Sequence, residues 1–148
     1  MGNALSPEDH EHNRAHIDSL LYVSVWSRPD IAFALSELSR FVASPGTTHL
    51  QVAKHLLRYL KATKHFSLTY SCQGSVPASA NRTNQLWGYV DSDWAGCPDL
   101  RKSTSGYALL LNGAAISWKS KRQPIVALST AEAEFVAASS LVQEVIYV

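Results

Sequence analysis

The sequence predicts an α+β chain: helices first, then a small antiparallel sheet, then one last helix. Three observations carry that prediction. Apolar residues recur at helical spacing from Ala15 to Ala62. From Leu86 to Arg122 the period changes to the alternation of strands, with an Asn112-Gly113 turn between two of them. Ser129-Thr130-Ala131-Glu132 then reads as a capping box that opens a helix.

Each element has its own justification. Residues 1–14 are polar and are expected to be flexible. In Ala15–Trp26 the apolar residues Ile17, Leu20, Leu21, Val23 and Val25 nearly surround a helix axis. Pro29 breaks that helix and suits the first turn of the next. Ile31, Ala34, Leu35, Leu38, Phe41 and Val42 form its stripe. Thr47 or Thr48 is the expected cap of a third helix, which ends near Ala62 with Leu50, Ala53, Leu56, Leu57 and Leu60 as its apolar face. Phe66–Tyr70 alternates and reads as a strand. Residues 71–85, rich in Ser, Pro and Asn, read as a linker. Three strands follow: Leu86–Trp94, Ser103–Leu111 and Ala115–Arg122. The last helix reaches the C-terminus.

The expected organisation is thus a flexible segment 1–14, a helical segment 15–70, a linker 71–85 and an α/β unit 86–148. At 148 residues and 46% hydrophobic, the chain can build one ordinary core or two small ones. Two cysteines, Cys72 and Cys97, do not make a disulfide framework, so an intracellular setting, cytoplasmic or nuclear, is expected. No apolar run is long enough to cross a bilayer. Gly2 lies in a loose N-myristoylation pattern, read here as chance.

Net charge is +1, so function has to be sought in how charge is distributed. No Asp or Glu occurs between Glu37 and Asp91, nor between Asp99 and Glu132. Asp91 sits inside the apolar run 86–94, which makes a buried, paired carboxylate the expectation. Glu134 sits in a second apolar stretch. A helix laid across the sheet could bring the two together, and paired carboxylates call for a proton or a cation. Magnesium suits such oxygen donors, and two ions roughly 4 Å apart would drive phosphodiester hydrolysis. Lys54, Arg58, Lys61 and Lys64 form a cationic helix face, and Lys119, Lys121 and Arg122 a cationic strand. The first reads as a solvated face or a phosphate-contacting one, the second as an edge guard or a nucleic-acid grip. Trp87, Trp94, Trp118 and Tyr107 read as packing residues. His49, His55 and His65 have no zinc-like spacing.

Several blocks together resemble the C-terminal part of a copia-type retrotransposon Pol polyprotein. They are Ser-Leu-Leu-Tyr-Val-Ser-Val-Trp-Ser-Arg-Pro-Asp (19–30), His-Leu-Leu-Arg-Tyr-Leu-Lys (55–61), Gly-Tyr-Val-Asp-Ser-Asp-Trp-Ala-Gly (88–96), Arg-Lys-Ser-Thr-Ser-Gly-Tyr (101–107) and Ala-Leu-Ser-Thr-Ala-Glu-Ala-Glu-Phe (127–135). The resemblance implies that the first half is the thumb and connection end of a reverse transcriptase. The second half is then the start of an RNase H domain, truncated after three strands and one helix. Asp91 and Glu134 match catalytic, metal-binding carboxylates of that domain; Asp93 belongs to the motif and is a doubtful ligand. Magnesium, an RNA–DNA hybrid and the rest of Pol, or another protein partner, are the implied cofactor and partners. Two of the four expected carboxylates are missing before Val148, so the chain alone is expected to be inactive. A non-catalytic binding protein, using the basic helix or an exposed sheet edge, is the alternative.

Overall fold

The computed structural model describes residues 6–70 and 86–148. These form two compact units, one up to Ser67 and one from Leu68. The boundary thus falls just before Tyr70, and the expected linker 71–85 lies outside the described residues.

The first unit is helical. Helix α1 spans Pro7–Trp26, α2 Ala32–Ser39 and α3 Thr47–Ala62, with a 3-10 turn at Pro29–Ile31. Helix α1 begins eight residues earlier than its apolar pattern suggests, so residues 7–14 are helical rather than flexible. Ser6 explains this: its Oγ accepts the Asp9 N–H at 3.2 Å, and Pro7 occupies the first turn. The α3 cap also differs. Gly46, not a threonine, is the N-cap, and its N–H donates to His49 Nδ1 at 2.8 Å. The core joins Ile17 and Leu20 of α1, Ile31 and Leu35 of the next segment, and Ala53 and Leu56 of α3.

Arg28 locks the ends of these helices together. Its guanidinium donates to both Asp30 oxygens at 2.9 and 2.7 Å, and to Thr63 O at 3.1 Å and Thr63 Oγ1 at 2.6 Å. It also lies over the rings of Tyr59 and Phe66, 5.5 and 5.6 Å from their centroids. Phe66–Tyr70, expected as a strand, pairs with no strand among the described residues.

The second unit is a three-stranded antiparallel sheet crossed by a helix. Strands β1 (Leu86–Ser92), β2 (Thr104–Leu111) and β3 (Ala114–Arg122) lie in the order β1-β2-β3, and α4 is Thr130–Tyr147. Asn112 and Gly113 make the β2–β3 turn at φ 51° and 90°, as the sequence implied. Tyr70 belongs to this unit, its hydroxyl donating to Ala115 O at 2.8 Å. Ser129 caps α4 through the Glu132 N–H, while Glu132 reaches back to the Leu128 N–H at 2.6 Å. Its buried apolar side chains are small: Cys97, Ala114, Ala115, Ala127, Ala133 and Ala137, with Leu109 the one large exception among the described residues. Helix and sheet approach closely as a result; a Cβ built on Gly88 would lie 2.7 Å from Leu141 Cδ2.

Candidate functional site

Strand β1 is an edge, and that corrects the expectation of a buried Asp91. Asp91 is exposed, as are Tyr89 and Val90 beside it. No strand among the described residues covers the outer side of β1, so its apolar composition does not bury it.

The hydrogen-bond register shows where the Asp91 carboxylate goes. The Asp93 N–H donates to Thr104 O at 3.2 Å across the β1–β2 pair. Alternation then turns the N–H groups of Gly88, Val90 and Ser92 away from β2, to the open edge. Asp91 Oδ1 accepts the Ser92 N–H at 2.9 Å, which draws the carboxylate around that edge. There it meets α4. Val90, Asp91, Ala131, Glu134, Phe135 and Ala138 line one open cleft of about 430 Å³. Glu134 comes from the second turn of α4, aligned by the Ser129 cap.

Asp93 does different work. Its Oδ1 accepts the Thr104 N–H, closing the β1–β2 connection. A Cβ on Gly96 would fall 1.9 Å from its Oδ2, so the loop packs directly on the carboxylate. Asp93 does not line the Asp91–Glu134 cleft. Asp93→Ala is expected to lower stability by about 2 kcal/mol, the usual range for a hydrogen bond to a charged group. Chemical denaturation checks this; an unchanged midpoint would refute the bracing role.

Magnesium can be tested against the donors present. Asp91 Oδ1 is shared with an N–H, leaving Oδ2 and the Glu134 carboxylate. No group of three or more His, Cys, Asp or Glu able to hold a metal occurs among the described residues. This donor set fits one hard cation that keeps most of its waters, and does not fit a pair of ions.

The cationic residues are all at the surface or partly so. Lys54, Arg58 and Lys61 are exposed on α3, and Lys64 just beyond it. Lys119 and Lys121 are exposed on β3. They share a second cleft, also about 430 Å³, with Lys102, Arg122 and Gln123. Sequence reasoning gave no special role to Lys102, Gln123 or Glu144. Lys102 Nζ donates to Pro124 O at 2.5 Å. Gln123 is 3% exposed, and its amide donates to Ser105 Oγ and Ala133 O, both at 2.8 Å. Glu144 accepts the hydroxyls of Tyr107 and Ser117 at 3.1 and 2.7 Å. Burial, chiefly, raises the Tyr107 pKa, with the Glu144 charge adding to it. Of the aromatics, Trp87 and Trp118 are half-buried, while Trp94 is exposed and donates its indole N–H to Ala127 O at 3.2 Å.

Fold and site together define a class: a two-unit α+β protein with two carboxylates lining one cleft beside an edge strand of an antiparallel sheet. The comparisons with known proteins narrow it. The chain is 45% identical over 131 residues to the retrovirus-related Pol polyprotein from transposon TNT 1-94 of Nicotiana tabacum, covering 88% of this chain and 9% of that protein. It is 37% identical over 130 residues to a putative transposon Ty5-1 protein of Saccharomyces cerevisiae, covering 87% of this chain and 40% of that protein. It is 42% identical over 131 residues to secreted RxLR effector protein 161 of Plasmopara viticola, here covering 88% of this chain and 87% of that protein. No family model matches, and no solved structure does. The chain belongs to the copia-type retrotransposon Pol family.

Proposed function

We propose that this chain is a nucleic-acid-binding piece of a retrotransposon reverse transcriptase/RNase H that carries half of a magnesium-dependent hydrolytic site. The supporting observation is the shared cleft of Asp91 and Glu134 at the free edge of β1. Asp91 and Glu134 would hold the metal, which supplies Lewis-acid activation of water and charge stabilisation at the phosphodiester. The chain's own part is to fix the two carboxylates: Ser129 caps the helix that presents Glu134, and the Ser92 N–H orients Asp91. Lys54, Arg58, Lys61 and Lys64 supply phosphate contacts that carry no base information.

Two carboxylates cannot set the spacing of two ions, and a misplacement of about 1 Å already costs roughly a hundredfold in rate. The purified chain is therefore expected to leave the RNA strand of a hybrid uncut with magnesium present. Magnesium-dependent cleavage that disappears in Asp91→Asn and in Glu134→Gln would overturn the half-site reading. The nucleic-acid reading has its own test: hybrid binding that weakens with salt, and weakens again when Lys54, Arg58 and Lys61 are neutralised.

One observation favours a second reading, a non-catalytic binding protein. A relative named a secreted effector is 42% identical and is covered by this chain over 87% of its length. A heteromer of defined stoichiometry, insensitive to those three charge changes and accompanied by no oligonucleotide binding, would establish this reading and overturn the first.

A further inference from the structure

We infer that the cleft between α4 and strands β2 and β3 binds the phosphodiester backbone of a single nucleic-acid strand, apart from the Asp91–Glu134 cleft. This rests on the nucleic-acid reading above and gives it a second binding surface. The two clefts are lined by different flanks of α4. Ala131, Glu134, Phe135 and Ala138 line the carboxylate cleft, whereas Val136, Ser140 and Gln143 line this one. Between them, the stripe containing Ala133 and Ala137 is buried.

Charge makes the case. Lys102, Lys119 and Lys121 line the cleft, as does Arg122, whose guanidinium donates to Cys97 Sγ at 3.7 Å, and no Asp or Glu lines it. Glu144, bound to the cleft-lining Tyr107, has its two carboxylate oxygens taken by the hydroxyls of Tyr107 and Ser117. Lys119 and Lys121 make no ion pair among the described residues. Edge protection would need only the β3 cations, but Lys102 enters from the β1–β2 connection, fixed there by its bond to Pro124 O.

Geometry favours a strand over a compact anion. Lys119 and Lys121 lie two apart on β3, on one face, with Cα atoms separated by about 7 Å at ~3.4 Å per residue. That matches successive phosphates of an extended strand better than the oxygens of one phosphate. Register places Tyr107 beside Lys119 and Ser105 beside Lys121, so polar groups continue the floor. Gln123, held by Ser105 and Ala133 O, fixes that floor to α4.

The test is fluorescence anisotropy with a labelled single-stranded 12-mer RNA, its DNA equivalent and a labelled poly-glutamate peptide, each titrated over salt. Lys119→Gln with Lys121→Gln is expected to weaken both strands about tenfold. The slope of log affinity against log salt should fall by about 1.4, roughly 0.7 for each phosphate of a single strand that is no longer neutralised. Lys119→Arg with Lys121→Arg should bind as the wild type does, which separates charge from fold. Unchanged affinity and slope in the glutamine pair would overturn the inference. So would poly-glutamate binding as tightly as the strands, or a loss confined to a variant neutralised at Lys54, Arg58 and Lys61. The last result spares the nucleic-acid reading of the whole chain; failure of the wild type to bind either strand overturns this inference, and failure to bind the hybrid as well overturns both.

Discussion

Leu109→Ala is expected to lower the stability of the sheet unit by about 3–4 kcal/mol, within the range seen when a buried leucine leaves a cavity. Leu109 has no exposed surface, and the other buried apolar side chains described in its unit are alanines and one cysteine. It lies opposite Gly88 and Ser117 on the face that α4 covers. Small domains have about 5–15 kcal/mol in all, so this one change would remove a large share. The first unit has a broader core, from Ile17 to Leu56, and should be spared. Far-ultraviolet circular dichroism in a urea titration would read both units. Leu109→Ala should move the sheet unit's transition and leave that of the helical unit; Leu35→Ala should do the reverse. A variant that shifts neither, or both equally, contradicts the thin-core account.

Arg28→Ala should destabilise the helical unit by about 3 kcal/mol. Arg28 is 7% exposed and its guanidinium meets Asp30, Thr63, Tyr59 and Phe66 together. Its removal strips the Asp30 carboxylate of its cation, leaving it the Tyr59 hydroxyl, and takes one donor from Thr63 O, which keeps the Phe66 N–H; leaving the charge unpaired is the costly way to break such a pair. Arg28→Lys should recover little, because a point charge cannot reproduce the fork. Acid sharpens the test. The Arg28 hydrogen bond, above all, holds the Asp30 pKa below its ordinary 3.8, with a further hydrogen bond from Tyr59. A carboxylate with a depressed folded pKa adds stability that is present above its unfolded value and lost as pH falls through the folded one. Wild-type stability should thus drop below pH ~4, and that part of the drop should vanish in Arg28→Ala. The same acid slope in both proteins would remove Asp30 from the account.

Much of this fold was legible because the local signals agreed. The Asn112-Gly113 turn, the alternation around Ile116 and Trp118 and the Ser129 cap each specify one element, and they point to one order. Residues 7–14 were misjudged because α1 there presents polar residues; a Ser6-Pro7 start signal was present, with Asp9 in the first turn. The segment 66–70 alternates, yet it is no strand in the described structure: alternation alone does not make a strand. Asp91 and Glu134 were legible as a pair, with their surroundings misread: an apolar strand implies burial only when both its sides are covered. Arg28 stands just before the helix-breaking Pro29, and nothing in the sequence around it marks it out. Its partners at 59, 63 and 66 are brought to it by the packing of α3, and no short window contains that information. Lys102 and Gln123 become notable only once α4 is laid over the sheet.

The bond from the Ser92 N–H to Asp91 Oδ1 has a thermodynamic consequence. A strand pairing along the outer side of β1 would take the Ser92 N–H and release the Asp91 carboxylate, whereas a cation at Asp91 Oδ2 would rely on that N–H to orient it. Strand pairing and cation binding would then each weaken the other by the same factor, as linkage requires of two events that draw on one bond.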